Sequence, residues 1–350
     1  MNSQRLIRIP TLVRLKPGAL DRLGVYAARH GFSRVVVLLS EGLPSAITGR
    51  LEAALRTSGV DILRSEPVQE ASLEQAQTLF AALPARTQAV IGLGGGKALD
   101  LAKYVAFLAH LPYLAVPGSL SNDGFCSPQS SLTVQGKRRS LPSRMPFGVV
   151  IDTAVTQAAP LALWWSGIGD LVSKVTAVQD WKLAFHARGT PVDDFAALLS
   201  DATVLQFIGR PVHDLEGDRL LGTALMLNGV AMEVCGSSRP ASGSEHLISH
   251  AFDAVSRAPR LHGLQVGVAT YMVSRLQGHG AEPIANLFER THFWDAFRGQ
   301  PLSRAEWIEA VRLAPSIKED FYTVLAQRDC LPEVERLLAE DPLLRPVFSE

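Results

Sequence analysis

Short, uniformly apolar runs alternate with amphipathic stretches over the first half of the chain. Residues 35–39 (Val-Val-Val-Leu-Leu), 89–93 (Ala-Val-Ile-Gly-Leu), 113–116 (Tyr-Leu-Ala-Val) and 147–151 (Phe-Gly-Val-Val-Ile) lack charged positions, as strands covered on both faces require. Between them apolar residues recur at helical spacing, predicting helices from Pro17 to His30, Ile47 to Ser58, Leu73 to Ala82 and onward from Gly96 towards His110. Leu12 to Leu15 reads as an edge strand, Val60 to Arg64 as another short strand, and 131–139 as a small hairpin turning at Gln135-Gly136. This βαβ rhythm predicts a parallel sheet with right-handed crossovers. It stops between Ala158 and Pro160, and from Leu161 the chain reads as Ala- and Leu-rich helices. With 350 residues, beyond the ~250–300 at which one core usually divides, two domains are expected: 1–159, α/β, and 160–350, all-helical.

Composition narrows the partners. Net charge is zero, 47% of residues are hydrophobic, and Lys and Arg are scattered, which argues against nucleic acid or an anionic membrane and for a small substrate. Met1-Asn-Ser-Gln-Arg-Leu-Ile-Arg has no uninterrupted apolar region of an export signal, and no run reaches the ~18 residues of a membrane helix, so a cytoplasmic location is expected. Cys126, Cys235 and Cys330 are odd in number and form no Cys-x-x-Cys pair, which disfavours disulfides and thiolate metal sites.

Candidate chemistry falls in four stretches. The strand at 89–93 runs into Gly94-Gly95-Gly96-Lys97, where side-chain-free backbone and a helix start suit a pyrophosphate, although the glycines are packed more tightly than in Gly-x-Gly-x-x-Gly. Lys97 would contact phosphate or simply be solvated. After the next strand, 117–128 (Pro-Gly-Ser-Leu-Ser-Asn-Asp-Gly-Phe-Cys-Ser-Pro) is a polar loop at a strand's carboxyl end, where such sheets bind ligands; the alternative is an Asn-Asp-Gly turn capped by its own side chains. In Gly167-Ile168-Gly169-Asp170 the glycines are expected to break one helix into another, leaving Asp170 at a helix start as a metal ligand or as a dipole partner paired with Lys174. Finally, three of only nine histidines fall within seventeen positions. His246 and His250 are one helical turn apart, and His262 returns after the break at Pro259, so the three rings can converge on a metal.

These motifs, with 238–246 (Ser-Arg-Pro-Ala-Ser-Gly-Ser-Glu-His) and Leu261-His262-Gly263, resemble the sn-glycerol-1-phosphate dehydrogenases, within the superfamily of iron-containing alcohol dehydrogenase, glycerol dehydrogenase and dehydroquinate synthase. The resemblance implies a Rossmann-like N-terminal parallel-sheet domain that binds dinucleotide, an all-α C-terminal domain that binds metal and substrate, and an active site in the cleft between them. It places metal ligands on Asp170, His246 and His262, with His250 beside the substrate and Asp123 and Asp170 in contact with it. The cofactor site falls on Gly96, Lys97, Ala98, Leu99, Asp100, Gly118, Ser119, Leu120, Ser121 and Ser127. One departure is Pro117-Gly118-Ser119 where the family usually has Pro-Thr-Ser, removing a hydroxyl near the cofactor. The implied activity is metal-dependent, NAD- or NADP-linked reduction of dihydroxyacetone phosphate to sn-glycerol 1-phosphate, a step of phospholipid metabolism. Zinc suits the ligand set, as do Fe²⁺ and Ni²⁺. A homo-oligomer is expected. Rival readings are a dehydrogenase for another small polyol or phosphorylated ketone, a dehydroquinate-synthase-like cyclase, and an inactive homologue. For the substrate phosphate, Arg239, Lys174 and Arg138 are the cationic candidates.

Overall fold

The computed structural model describes residues 6–349; the N-terminal stretch read above begins in residues 1–5, outside that range. Contacts divide the chain into two compact units, one running to Ala159 and including His213–Glu233, the other comprising Pro160–Val212 and the chain from Val234.

In the first unit β1 (Leu12–Leu15), α1 (Leu23–Arg29), β2 (Arg34–Ser40), α2 (Ser45–Thr57), β3 (Asp61–Val68), α3 (Leu73–Ala81), β4 (Ala89–Gly94), α4 (Gly96–Leu108) and β5 (Tyr113–Pro117) alternate as the pattern predicts. The hairpin β6 (Gln129–Val134) and β7 (Lys137–Pro142) stands apart as its own antiparallel pair, and β8 (Gly148–Ile151) and α5 (Thr153–Gln157) follow. Six strands form one parallel sheet in the order β1-β8-β5-β4-β2-β3. Strand β3 is longer than its pattern suggests, since it is an edge strand with alternating exposure and tolerates Pro67. The strand order reverses between β2 and β4, and at such a point the carboxyl ends of neighbouring strands open a crevice for ligand.

The second unit opens with α6 (Leu161–Arg188) and α7 (Asp194–Gly209). Helix α8 (Leu215–Cys235) follows in sequence but packs, over most of its length, in the first unit. Gly229 makes this contact possible, because a Cβ there would fall 1.5 Å from the Cys126 carbonyl oxygen; Thr156 Oγ1 adds a bond to Asp218 Oδ2 of 2.6 Å. The chain then re-enters the second unit with α9 (Ser244–Val255), α10 (His262–Gln277) and further short helices.

The expected break at Gly167–Asp170 does not occur: α6 is one unbroken helix, and Asp170 lies in its middle instead of at a start. The glycines serve close packing. A Cβ on Gly169 would lie 1.9 Å from the Gly263 carbonyl oxygen, and one on Gly263 1.9 Å from that of Ser166, so bare backbone on both helices lets α6 and α10 touch. Helix α6 ends at Gly189, whose φ of 68° gives a left-handed cap.

Candidate metal centre and nucleotide cradle

Close packing of α6 on α10 brings Asp170 to the start of α10, where His262 is the first helical residue. Helix α9 supplies His246 and, one turn on, His250. One ligand atom each from Asp170, His246 and His262 lies within 4.8 Å of the other two. Ring centroids are 5.2 Å apart for His246–His262, 5.5 Å for His250–His262 and 6.3 Å for His246–His250.

Electrostatics favour cation binding. Asp170 is 1% exposed, and burial opposes its charge. Lys174 and the two imidazoles nonetheless hold its carboxyl well below the usual range, so it stays ionised. The Lys174 ammonium donates to the Asp170 carbonyl oxygen at 2.8 Å and lies 3.8 Å from Oδ1. Nε2 of His246 is 3.4 Å from Asp170 Oδ1, while its Nδ1 lies 2.9 Å from Glu245 Oε1. Burial disfavours a charged His246 ring, yet these two carboxylates prevail and raise its pKa. For His262, Nδ1 meets Ser249 Oγ at 3.2 Å. With Nδ1 engaged on both rings, Nε2 is the nitrogen each offers a cation, an outer-sphere arrangement usual for ligating histidines. A second trio, His250, Asp253 and His262, meets the same distance criterion, but the Asp253 carboxylate already accepts from Gln265 Nε2 at 2.9 Å. The buried trio with its ionised carboxylate is the better cation site.

The glycine turn shows why side chains are missing. Gly94 has a φ of 123°, and a Cβ there would lie 2.4 Å from Ser40 Oγ, so the chain itself requires that glycine. Gly95 and Gly96 differ. Their φ angles are ordinary, and an added Cβ would come no nearer than 3.8 Å to Ser40 and 4.0 Å to Asn122 respectively. Nothing among the described residues demands bare backbone at these two positions, whereas a pyrophosphate approaching the first N–H groups of α4 would. Ser40, at the end of β2, pins this turn by accepting from the Gly95 N–H at 2.9 Å.

The other positions read as cofactor contacts distribute unevenly. Lys97 is exposed and donates to the Gln69 carbonyl oxygen at 3.3 Å. The side chains of Ala98, Leu99 and Asp100 are buried, and Asp100 lies 3.2 Å from the Lys103 ammonium; burial raises its pKa despite that partner. These three offer the outside backbone at most. Gly118, Ser119 and Ser121 are part-exposed and Leu120 is buried. The Gly118 N–H donates to the Gly94 carbonyl oxygen at 2.9 Å, and an added Cβ would stand 3.4 Å from Gly94 Cα, so a side chain there would flank the glycine turn. Asp123 begins a short 3₁₀ turn capped by Asn122, whose side chain accepts from Gly124 N–H at 2.9 Å.

Two residues with clear roles escaped the sequence reading. Lys103 is 1% exposed and donates to the Gly124 carbonyl oxygen at 2.6 Å, tying the Asp123 loop to α4. Its signal is a lysine three residues after Asp100, among the apolar residues of α4. Glu245 stands in the first turn of α9, and its fully buried carboxylate accepts from Gly243 N–H and Thr176 Oγ1 besides facing His246.

The chain combines an α/β unit with six parallel strands and a helical unit carrying an Asp–His–His cluster, and comparison with known proteins names the class. Residues 14–160 match the family model described as iron-containing alcohol dehydrogenase. Glycerol dehydrogenase from Schizosaccharomyces pombe superposes with a TM-score of 0.79 at 20% identity, covering 98% of this chain and 91% of that one, a likeness of fold. In sequence, the glycerol-1-phosphate dehydrogenase [NAD(P)+] of Aeropyrum pernix is 36% identical over 95% of this chain and 96% of its own. That of Thermofilum pendens is 35% identical over 89% and 91%. The chain therefore belongs to the glycerol-1-phosphate dehydrogenase family and is an oxidoreductase.

Proposed function

We propose that this protein reduces dihydroxyacetone phosphate to sn-glycerol 1-phosphate, reversibly, with NADH or NADPH and one divalent cation. The observation that carries the reading is the convergence of Asp170, His246 and His262, with both Nδ1 atoms engaged, in a chain whose relatives are named for this activity. Those three side chains would hold the cation, for which zinc, Fe²⁺ and Ni²⁺ are all suitable. When bound, it supplies Lewis-acid polarisation of the ketone, and the nicotinamide supplies the hydride. Glu245 fixes the His246 tautomer. His250, displaced one turn along α9, holds the proton that the new alkoxide takes up. Gly95 and Gly96 admit the dinucleotide pyrophosphate to the backbone N–H groups of α4, and Asp123 contacts substrate.

Among the cationic candidates for the substrate phosphate, Arg239 is favoured, together with Lys318, which the sequence reading did not single out. Lys174 is engaged at Asp170 and Arg138 lies on the exposed hairpin bonded to Ser131, whereas the Arg239 guanidinium, which donates to the Tyr322 and Asp320 carbonyl oxygens at 2.9 and 2.8 Å, is buried beside a second cation. Arg239 and Lys318 flank the Phe321 ring, 4.0 and 4.5 Å from its centroid. Burial, and then the charge of Arg239, lower the Lys318 pKa, and an anion between them would relieve that repulsion.

Oxidation of NADH and NADPH should be followed against dihydroxyacetone phosphate, dihydroxyacetone and other small ketones, before and after chelation and re-addition of each metal. The expected result is metal-dependent turnover with kcat/KM highest for the phosphorylated ketone. Equal or better use of unphosphorylated ketones would sink the substrate assignment, and full activity after verified metal removal would sink the metal.

A further inference from the structure

The first unit holds a cavity of about 450 Å³ that none of the chemistry above uses. It lies at the amino end of β5, lined by the last turn of α4, residues 144–147 ahead of β8 and the segment 7–11 that leads into β1. Its size is within the ~300–1,000 Å³ of small-molecule sites. The nucleotide cradle is elsewhere: Phe107, on the cavity wall, follows Gly96 by eleven positions of α4, roughly 16 Å along the axis.

The lining has two characters. Phe107, Leu111, Met145 and Phe147 make it apolar, and Ile7 and Ile9 on its lining remain 48% and 61% exposed. Its charged and titratable members are Arg8, Lys103, His110 and Arg144, with no Asp or Glu beside them among the described residues, in a chain that holds 34 acidic and 34 basic residues. Lys103 is already engaged at the Gly124 carbonyl oxygen. The Arg8 and Arg144 guanidiniums enter no ion pair or hydrogen bond among the described residues; Arg8 is held by its backbone, whose N–H donates to Glu233 Oε1 at 3.1 Å. The end of α4 does not oppose an anion strongly, because its carbonyls are capped within the chain. Leu111 N–H donates to the Ala106 oxygen at 2.9 Å and His110 N–H to that of Phe107 at 3.2 Å. His110 thereby sits at a φ of 55°, where glycine would be unstrained, and places an imidazole on the lining.

We propose that this cavity binds an amphipathic organic anion, its apolar body against Phe107, Leu111 and Met145 and its acidic head at Arg8 and Arg144, without displacing the dinucleotide. The pairing of an apolar wall with two guanidiniums that lack an acidic partner selects that class over a free inorganic anion or a neutral apolar molecule.

Titration with 8-anilinonaphthalene-1-sulfonate of protein saturated with NAD⁺ or NADP⁺ tests this, since the cradle is then filled, and it needs no turnover. One saturable fluorescent site is expected, displaced by decanoate but not by decanol or inorganic phosphate at equal concentration. R8E/R144E should weaken it roughly tenfold or more. H110G, which relieves the left-handed backbone, should weaken it about threefold with a Tm no lower than wild type. Absence of a saturable site, or wild-type affinity in R8E/R144E, would overturn the proposal. Displacement by decanol as strong as by decanoate would refute the anionic head, and displacement by phosphate alone would refute the apolar body. Should the arginine variant fail to fold, wild-type affinity in both H110G and R144Q would overturn it equally.

Discussion

Glu245 Oε1 lies 2.9 Å from Nδ1 of His246, the ring whose Nε2 faces Asp170. Adjacent in sequence, the two side chains divide the work: one is offered to a cation, the other orients it. E245Q keeps a near-isosteric group but removes the charge that raises the ring's basicity. Metal affinity, measured by competition with a chromophoric chelator, should fall roughly 10- to 100-fold while the protein remains folded. Unaltered affinity would reduce Glu245 to a cap of α9.

His262→Ala removes one ligand atom from a half-buried position at a helix start and leaves the Gly169–Gly263 contact untouched. Loss of bound metal and of activity together is expected, with secondary structure by circular dichroism retained. Stoichiometric metal in the purified variant would contradict the assignment and favour a site that does not need His262.

Replacing Gly95 tests the cradle. A Cβ there meets only Ser40 Oγ, at 3.8 Å, and the backbone, at φ −88° and ψ 177°, is extended as valine prefers. Gly95→Val should therefore fold normally yet raise the cofactor KM roughly tenfold or more, with the ketone KM little changed. An unchanged cofactor KM would show that no phosphate approaches this turn.

Much of this architecture was legible because it is local. The strands 35–39, 89–93 and 113–116 announce themselves by unbroken apolar runs, and the spacing of His246 and His250 follows from helix period alone. What escaped depends on partners far along the chain. Gly167 and Gly169 read as helix breakers, and only Gly263, on another helix, shows that Gly169 is a packing residue. Helix α8 has the same composition as its neighbours, and its place in the first unit shows only in distant partners, Gly229 at the Cys126 carbonyl and Asp218 at Thr156. Glu245 and Lys103 hid for a related reason: each has a plausible surface role until burial is known.

His250 differs from its neighbours in distance: its ring centroid stands 6.3 Å from that of His246, one turn away on α9. His250→Ala should keep near-stoichiometric metal and lower kcat/KM by roughly 10²- to 10⁴-fold, the range for losing a positioned proton donor. Metal loss in this variant, with retention in His246→Ala, would exchange the two roles and favour the His250–Asp253–His262 trio.

Asp180 offers a test of stability that is separate from catalysis. From α6 its carboxylate accepts from Ser244 N–H at 2.7 Å and Val324 N–H at 2.9 Å, joining the start of α9 to the chain near 324. Burial, and next the charge of Glu245, push its pKa up to about 6 from an ordinary 3.8. Between those values the folded protein binds more protons at Asp180 than the unfolded chain does. Stability from this residue is therefore full below the unfolded value and declines as pH rises towards 6, by about 3 kcal/mol in total. D180N has no such proton to lose. It should be less stable than wild type at low pH, because an amide cannot accept from both N–H groups, and the gap should narrow between pH 4 and 7. Urea unfolding of both proteins across that range gives the difference directly. A gap that stays constant to within about 0.5 kcal/mol would mean that Asp180 is already ionised at pH 4 and that its two N–H partners outweigh both burial and Glu245.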